Sequence, residues 1–145
     1  MARIERSVKV DVRPEKAFSY LKDLENMPAW MASCKSHKIT SKKRYGLGTT
    51  THCVMVQAGR TIEWDSVVTE YLENQKMSWH CEKPSRNDGT FEFKPAQKGT
   101  EITFVMDYDL PYSIFGALID KLRVRKDIEK SIDDGLRKLK EILEQ

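Results

Sequence analysis

The sequence lacks the features that would assign it to a membrane or to a secretory pathway. None of its apolar runs approaches the roughly 20 residues that a helix needs to cross a bilayer. Its first six residues lack the apolar stretch of a signal peptide. Cysteine is scarce, and Cys34, Cys53 and Cys81 are odd in number, which argues against a disulfide framework. These absences together predict a protein of the reduced cytoplasm.

The sequence also lacks a strong excess of either charge. Its 25 basic and 22 acidic residues give a net charge of +3, which is too balanced to indicate nucleic-acid binding by itself. Basic residues do cluster around His37, namely Lys35, Lys38, Lys42, Lys43 and Arg44. We favour the interpretation that lysines protect a solvated edge strand. The alternative is an anionic partner, such as RNA or a ligand head group.

Defined catalytic, metal-binding and cofactor motifs are absent as well. Cys34 and His37 have the spacing of a ligand pair, but no second pair with such spacing follows them. His52-Cys53 and His80-Cys81 are neighbours on predicted strands, so the two side chains of each pair point to opposite faces. Gly46-Leu47-Gly48 precedes a predicted strand and not the helix that a phosphate site requires. We therefore predict no metal and no cofactor, and we interpret the cysteines as small hydrophobic residues.

What the sequence does contain is an ordered change of hydrophobic pattern along one predicted domain, residues 1–145. Ile4 to Val12 alternates as a half-buried strand, and Pro14 is suited to open the helix that follows. A second short helix comes next and is interrupted at Pro28. From Cys34 to Leu110 the pattern is typical of antiparallel strands separated by turns, with one aromatic-rich face.

The last segment, Pro111 to Gln145, is predicted to form one long amphipathic helix. Its later half carries a regular apolar stripe that consists of Ile128, Ile132, Leu136, Leu139 and Leu143. Extending this stripe backwards places Lys121 and Arg125 near its centre. We favour a bend near Gly116 or in the charged interval that follows Leu122, with the basic side chains reaching water. In the alternative, the first half covers a cavity mouth and these side chains meet a ligand.

A sheet that curls around a single helix rarely fills its own interior, so we predict a ligand cavity between the two. Its sheet side is predicted to be lined by Trp64, Trp79, Phe91, Phe104, Met106 and Tyr108, and its helix side by Phe115, Leu118 and Leu122. Possible polar anchors are Tyr112, Lys121 and Arg125.

One carboxylate is a candidate acid or base for such a cavity. Glu70 follows the alternation of Trp64, Ser66 and Val68, so it can face inward near the end of its strand. The interpretation that we favour is that Glu70 reaches water past the sheet edge, because unpaired glutamate is rarely buried.

Several segments in a fixed order carry a resemblance to a known family. They are Ser7-Val8-Lys9-Val10, Pro14-Glu15-Lys16-Ala17-Phe18, Leu24-Glu25-Asn26-Met27-Pro28-Ala29-Trp30, Gly46-Leu47-Gly48-Thr49, Glu63-Trp64, Val68-Thr69-Glu70-Tyr71, Gly99-Thr100-Glu101-Ile102-Thr103 and Leu136-Arg137-Lys138-Leu139-Lys140. With them the whole chain resembles the START-like, helix-grip (SRPBCC) superfamily, nearest to its polyketide cyclase/dehydrase and lipid-transport branch. The resemblance implies a seven-stranded antiparallel curved sheet around a long C-terminal helix, with two short helices after the first strand. It also implies a pocket for an apolar or aromatic molecule.

These observations together predict an α+β protein that binds or transports a small hydrophobic ligand, such as a lipid, a quinone or a polyketide-like ring. A cyclase or dehydratase that uses the same cavity is the first alternative, because some members of the superfamily are enzymes. A ribosome- or RNA-associated protein that uses the basic cluster is the second. The sequence is compatible with a monomer or a homodimer.

Overall fold

The structure, a computed structural model, describes residues 2–116 and 120–145. Its strands are β1 (Ala2–Val10), β2 (Cys34–Ile39), β3 (Thr50–Gln57), β4 (Arg60–Leu72), β5 (Lys76–Cys81), β6 (Asn87–Ala96) and β7 (Gly99–Tyr108). Its helices are α1 (Pro14–Leu21), α2 (Met27–Trp30), α3 (Tyr112–Phe115) and α4 (Lys121–Leu143), and a short 3-10 helix (Leu24–Asn26) precedes α2.

The seven strands form one antiparallel sheet in the order β1-β7-β6-β5-β4-β3-β2. With the long helix α4 against it, this sheet confirms the predicted helix-grip architecture. Strand β2 is an edge strand, so Lys35 and Lys38 lie on an edge as the sequence indicates. Among the residues described, no helix combines the length and the apolar character that spanning a bilayer requires.

The chain after Pro111 is not the single helix that its sequence predicts. Helix α3 ends at Phe115 because Gly116 adopts φ +82° and ψ 172°, a backbone conformation that in practice only glycine tolerates. Helix α4 starts afresh at Lys121, where the Asp120 carboxylate accepts a hydrogen bond of 3.1 Å from the backbone N–H of Arg123. The break therefore lies at Gly116, and the charged interval after Leu122 is continuous helix.

Helix α4 packs one regular face against the sheet. The predicted stripe is buried, and it extends through Val124 and Gly135; its members are Val124, Ile128, Ile132, Gly135, Leu136, Leu139 and Leu143. Lys121 and Arg125 lie beside this face in solvent, where Lys121 Nζ donates to Tyr112 Oη over 2.9 Å and Arg125 pairs with Glu129. The basic side chains thus reach water, as in the interpretation that we favoured.

The short helix α2 differs from its prediction in one respect. Pro28 lies in its first turn and so opens the helix, a position where a missing N–H costs nothing. Next to it, Trp30 and Met31 pack against Gly135 of α4, where an added Cβ would lie 3.2 Å from Met31 Sδ. Helix α2 is therefore a wedge between the sheet and α4.

Two leucines of α4 provide a matched test of this packing. Leu139 is 0% exposed and Leu122 is 62% exposed. Leu139→Ala should lower the free energy of unfolding by about 2–5 kcal/mol, because it removes buried methyl groups and leaves a cavity. Leu122→Ala should change it by less than about 0.5 kcal/mol. Chemical denaturation measures both, and equal losses would contradict the packing of α4 described here.

Candidate ligand-binding cavity

A cavity lies between the inner face of the sheet, α2 and α4, with a free volume of about 100 Å³. The sheet contributes most of its lining, which consists of His37, Cys53, Met55, Gln57, Trp64, Ser66, Val68, Met77, Trp79, Cys81, Asn87, Phe91, Phe104 and Met106. The helices and their connections contribute Leu24, Met27, Trp30, Met31, Ser33, Ile128, Ser131 and Ile132.

The cavity lies between two clusters of the hydrophobic core. The main cluster joins α4, α1 and α2 to β1, β5, β6 and β7. The second is smaller and consists of Cys53, Ile62, Trp64 and Cys81 on β3, β4 and β5. Met55 and Trp79 pack against both clusters, and residues of both line the cavity. One helix therefore does not fill the whole concave face of the sheet.

Aromatic rings form one wall of the cavity. The Trp79 ring centroid lies 5.5 Å from that of Phe91 and 5.7 Å from that of Phe104, and the two phenylalanines are 5.2 Å apart. Trp79 Nε1 donates to Asn87 Oδ1 over 3.1 Å, which holds the indole in place. Trp79 pairs with Gly89 on β6, where an added Cβ would lie only 1.9 Å from Trp79 Cζ2. Glycine at this position thus makes room for the indole.

Methionine is concentrated in the lining. Apart from Met1, every methionine of the chain lines the cavity: Met27, Met31, Met55, Met77 and Met106. Unbranched thioether side chains adapt their shape at little cost, and flexible binding surfaces use them for that reason. All three tryptophans, Trp30, Trp64 and Trp79, line the cavity too, so it contains its own optical probes.

A short chain of polar groups enters this apolar space from β2, β3 and β4. His37 Nε2 lies 2.8 Å from Thr51 Oγ1, and Thr51 Oγ1 lies 2.5 Å from Ser66 Oγ. The other ring nitrogen of His37, Nδ1, lies 3.4 Å from the Met27 sulfur. Burial lowers the pKa of His37 to about 4, although Glu25 opposes this shift, so the imidazole is neutral at physiological pH.

Charged groups are missing from the described lining. Its polar members are neutral at physiological pH: three serines, His37, Gln57 and Asn87. Burial raises the pKa of Cys81 to about 12, and it raises that of Cys53 further, so both thiols keep their protons. Cys34 lies in the core with its pKa raised to about 11 by burial. A charge that entered the cavity would therefore have no counter-charge there.

Some of the residues predicted to line the cavity do so, and others lie elsewhere. Trp64, Trp79, Phe91, Phe104 and Met106 are part of the lining. Tyr108 is buried in the main cluster without lining the cavity, Phe115 packs against both clusters without lining it, and Leu122 is in solvent. Leu118 lies outside the described residues.

The possible anchors Tyr112, Lys121 and Arg125 also lie away from the cavity. Together with Tyr108 and Leu122 they border a separate surface groove at the junction of β7, α3 and α4. Tyr112 lies on α3, and Lys121 and Arg125 lie in the first turns of α4 outside its buried stripe.

Glu70 does not face inward. A β-bulge between Val68 and Glu70 shifts the register, so that Val68 pairs with Trp79 and Glu70 pairs with Ser78 on the outer face. Glu70 Oε1 accepts a hydrogen bond of 3.2 Å from the Ser78 hydroxyl and lies 3.1 Å from Lys76 Nζ. The simple alternation of the sequence fails here because the bulge adds one residue.

The basic cluster around β2 is partly neutralised by acidic neighbours. Arg44 Nη2 contacts Asp23 Oδ1 at 3.1 Å and Glu25 Oε1 at 3.3 Å. Lys35 Nζ donates to the Ala32 carbonyl oxygen, while Lys38, Lys42 and Lys43 are exposed. The part of the chain that the structure describes holds no group of three or more His, Cys, Asp or Glu side chains arranged for a metal ion.

Sequence analysis missed most of the polar lining. In the sequence, His37 stands out as a member of the basic cluster and by its ligand-like spacing from Cys34, and Ser66 only as a step in the alternation of β4. The available signal was the register of β2, β3 and β4, which places His37 opposite Cys53 and Thr51 opposite Ser66. Strand pairing of that kind is not encoded in local alternation.

The fold and the cavity define a helix-grip protein with an internal apolar space, and comparison with known proteins agrees. The family model for polyketide cyclase / dehydrase and lipid transport matches residues 1–144. The chain therefore belongs to this family. The comparison with curated proteins found no significant match.

Three solved structures illustrate the likeness. TTHA0849 from Thermus thermophilus is 23% identical with a TM-score of 0.83, and the match covers 98% of this chain and 97% of that one. The Zhui aromatase/cyclase from a Streptomyces species is 11% identical with a TM-score of 0.81, covering 99% and 93%. A START superfamily protein from Mycobacterium smegmatis is 16% identical with a TM-score of 0.77, covering 99% and 97%. At these identities the likeness shows the fold alone.

The buried imidazole gives a pH test. His37 has a pKa of about 4 when folded and about 6.5 when unfolded, so its contribution to stability is complete above pH 6.5 and is lost as the pH falls towards 4. We expect the stability difference between the native protein and His37→Gln to fall by roughly 3 kcal/mol between neutral pH and pH ~4.

Denaturation at several pH values measures this difference, and a difference independent of pH would contradict a buried neutral His37. His52 is the internal control because its exposed ring contacts Asp65 and Glu63, which raise its pKa. Its contribution should have the opposite sign: it is present at low pH and is lost as the pH rises above its folded pKa.

Proposed function

We propose that this protein binds a small hydrophobic molecule in the cavity between the sheet and α4. The observation that carries the proposal is the lining itself: three tryptophans, two phenylalanines and five methionines surround a space with few polar groups. Apolar walls with a small number of placed polar atoms are typical of small-molecule sites. Membership of a family described by cyclase, dehydrase and lipid-transport functions agrees with this proposal.

The size of the cavity limits what enters without rearrangement. Its free volume of about 100 Å³ is below the ~150 Å³ of an engineered protein cavity that holds benzene. Drug-sized ligands need roughly 300 Å³ or more. A single aromatic ring therefore requires small movements of the methionines. A lipid, a quinone with a side chain or a polycyclic polyketide requires larger ones, for which five flexible side chains are available.

The enzymatic alternative has less support from the geometry. Glu70, the candidate acid or base, faces outward and pairs with Lys76. His37 reaches the cavity, but a pKa of about 4 makes it a weak base at neutral pH. We therefore propose ligand binding as the function.

Two adjacent valines of β4 provide a matched test of binding. Val68 is buried on the inner face and lines the cavity, whereas Val67 is on the outer face opposite His80. Toluene is the probe because it is apolar and has one ring. It should shift the indole N–H signals of the native protein saturably in NMR spectra.

Val68→Phe should abolish this response because the new ring occupies the space, while Val67→Phe should bind like the native protein. The unfolding temperatures of both variants show whether they fold. Cys81→Leu is a second variant that fills part of the cavity with a smaller side chain. A saturable response that survives in Val68→Phe and in Cys81→Leu would contradict binding in this cavity. Native mass spectrometry of the purified protein then identifies any ligand that it carries from its host.

A further inference from the structure

The polar chain of His37, Thr51 and Ser66 has an open end inside the cavity. His37 is 6% exposed and Thr51 is 1% exposed, so both are removed from solvent. Ser66 lines the cavity, and the hydrogen bond that the structure gives its hydroxyl is the one with Thr51. A hydroxyl oxygen accepts two hydrogen bonds and donates one, so Ser66 retains bonding capacity that faces the space.

The chain can run in either direction. In one arrangement Ser66 donates to Thr51, Thr51 donates to His37 Nε2, and the Nδ1–H group faces the Met27 sulfur. The lone pairs of Ser66 then face the cavity. In the reverse arrangement His37 Nε2–H donates to Thr51, Thr51 donates to Ser66, and the Ser66 hydroxyl donates into the cavity. A neutral imidazole has both tautomers available, so the chain can match a donor or an acceptor.

The open end lies beside the aromatic wall. Ser66 shares the inner face of β4 with Trp64 and Val68, and Trp79 pairs with Val68 on the next strand. A ring packed against Trp64 and Trp79 therefore has one edge towards Ser66. The described lining also contains no charge that could balance an ionised group.

From this geometry we propose that the cavity selects uncharged aromatic molecules that carry a hydroxyl or carbonyl oxygen, and that Ser66 bonds this oxygen. Thr51 and His37 are positioning residues that act through Ser66. The proposal rests on the proposed function of the cavity and adds the chemical class of its ligand. An ionised carboxylate is excluded, because it would lose its hydration without gaining a cation.

Three probes that differ in one substituent test the proposal: toluene, p-cresol and p-toluate. Their dissociation constants are measured by NMR titration at neutral pH, where p-cresol is neutral and p-toluate is ionised. Ser66→Ala should weaken p-cresol binding by about 3- to 10-fold, the net value of one hydrogen bond, and should leave toluene binding unchanged. We expect no saturable binding of p-toluate inside the cavity.

Two threonines supply a matched pair for the positioning role. Thr51→Val interrupts the chain and should reproduce the selective loss for p-cresol. Thr49 is equally buried, but its Oγ1 has no hydrogen-bond partner and it does not line the cavity. Thr49→Val should therefore leave the affinity for both probes unchanged. A merely structural effect of Thr51→Val would change the affinities for toluene and p-cresol by the same factor, and that result would overturn the positioning role.

A competing polar pair provides the remaining control. Ser131 Oγ donates to Ser33 Oγ over 2.7 Å, and both residues line the cavity on the helix side. If Ser131→Ala weakened p-cresol selectively and Ser66→Ala did not, the assignment of the anchor would be wrong. Saturable p-toluate binding as tight as that of p-cresol would overturn the selectivity for uncharged ligands. If no probe binds, including toluene, the proposed function fails and this inference fails with it.

Discussion

The structure depends on a mismatch of size between one helix and the sheet that surrounds it. A seven-stranded sheet presents a concave face that α4, with one buried stripe from Val124 to Leu143, covers only in part. Helix α2 wedges Trp30 and Met31 against Gly135, and α3 packs Phe115 on the second cluster. Between these contacts the core stays divided, and the remaining space is the cavity. Close packing elsewhere supplies the stability that an unfilled space costs.

The lining suits an adaptable binding site better than a rigid one. Tryptophan and phenylalanine rings, supported by the Trp79–Asn87 hydrogen bond and the space at Gly89, form a fixed wall. Five methionines also line the space, and their flexible side chains can move aside for ligands of different shape. The polar chain from His37 to Ser66 adds a point of specificity without adding charge. A family with members of different activities can use such a site for different molecules by changing few residues.

The sequence predicted the elements well and the local backbone exceptions poorly. Alternation located the strands and the inward-facing Trp64, Phe104 and Met106, because side chains of a strand alternate regularly between its faces. The same rule failed at Glu70, where a bulge adds one residue and reverses the face. At Gly116, one of the two positions where a bend was expected, the chain forms two separate helices, because the apolar pattern does not show that the bend is a complete break. The polar chain was missed because it depends on the register between strands that are distant in sequence.

The central claim is that a largely apolar space exists inside this molecule, and xenon measures it directly. Xenon enters apolar cavities because it is apolar and polarizable and needs no hydrogen bonds. A crystal of the protein pressurised with xenon should show density between the aromatic wall and α4, next to Met77 and Ile132. The surface groove near Tyr112 should show less xenon density than the cavity. Side chains that fill the space and exclude xenon would contradict the account.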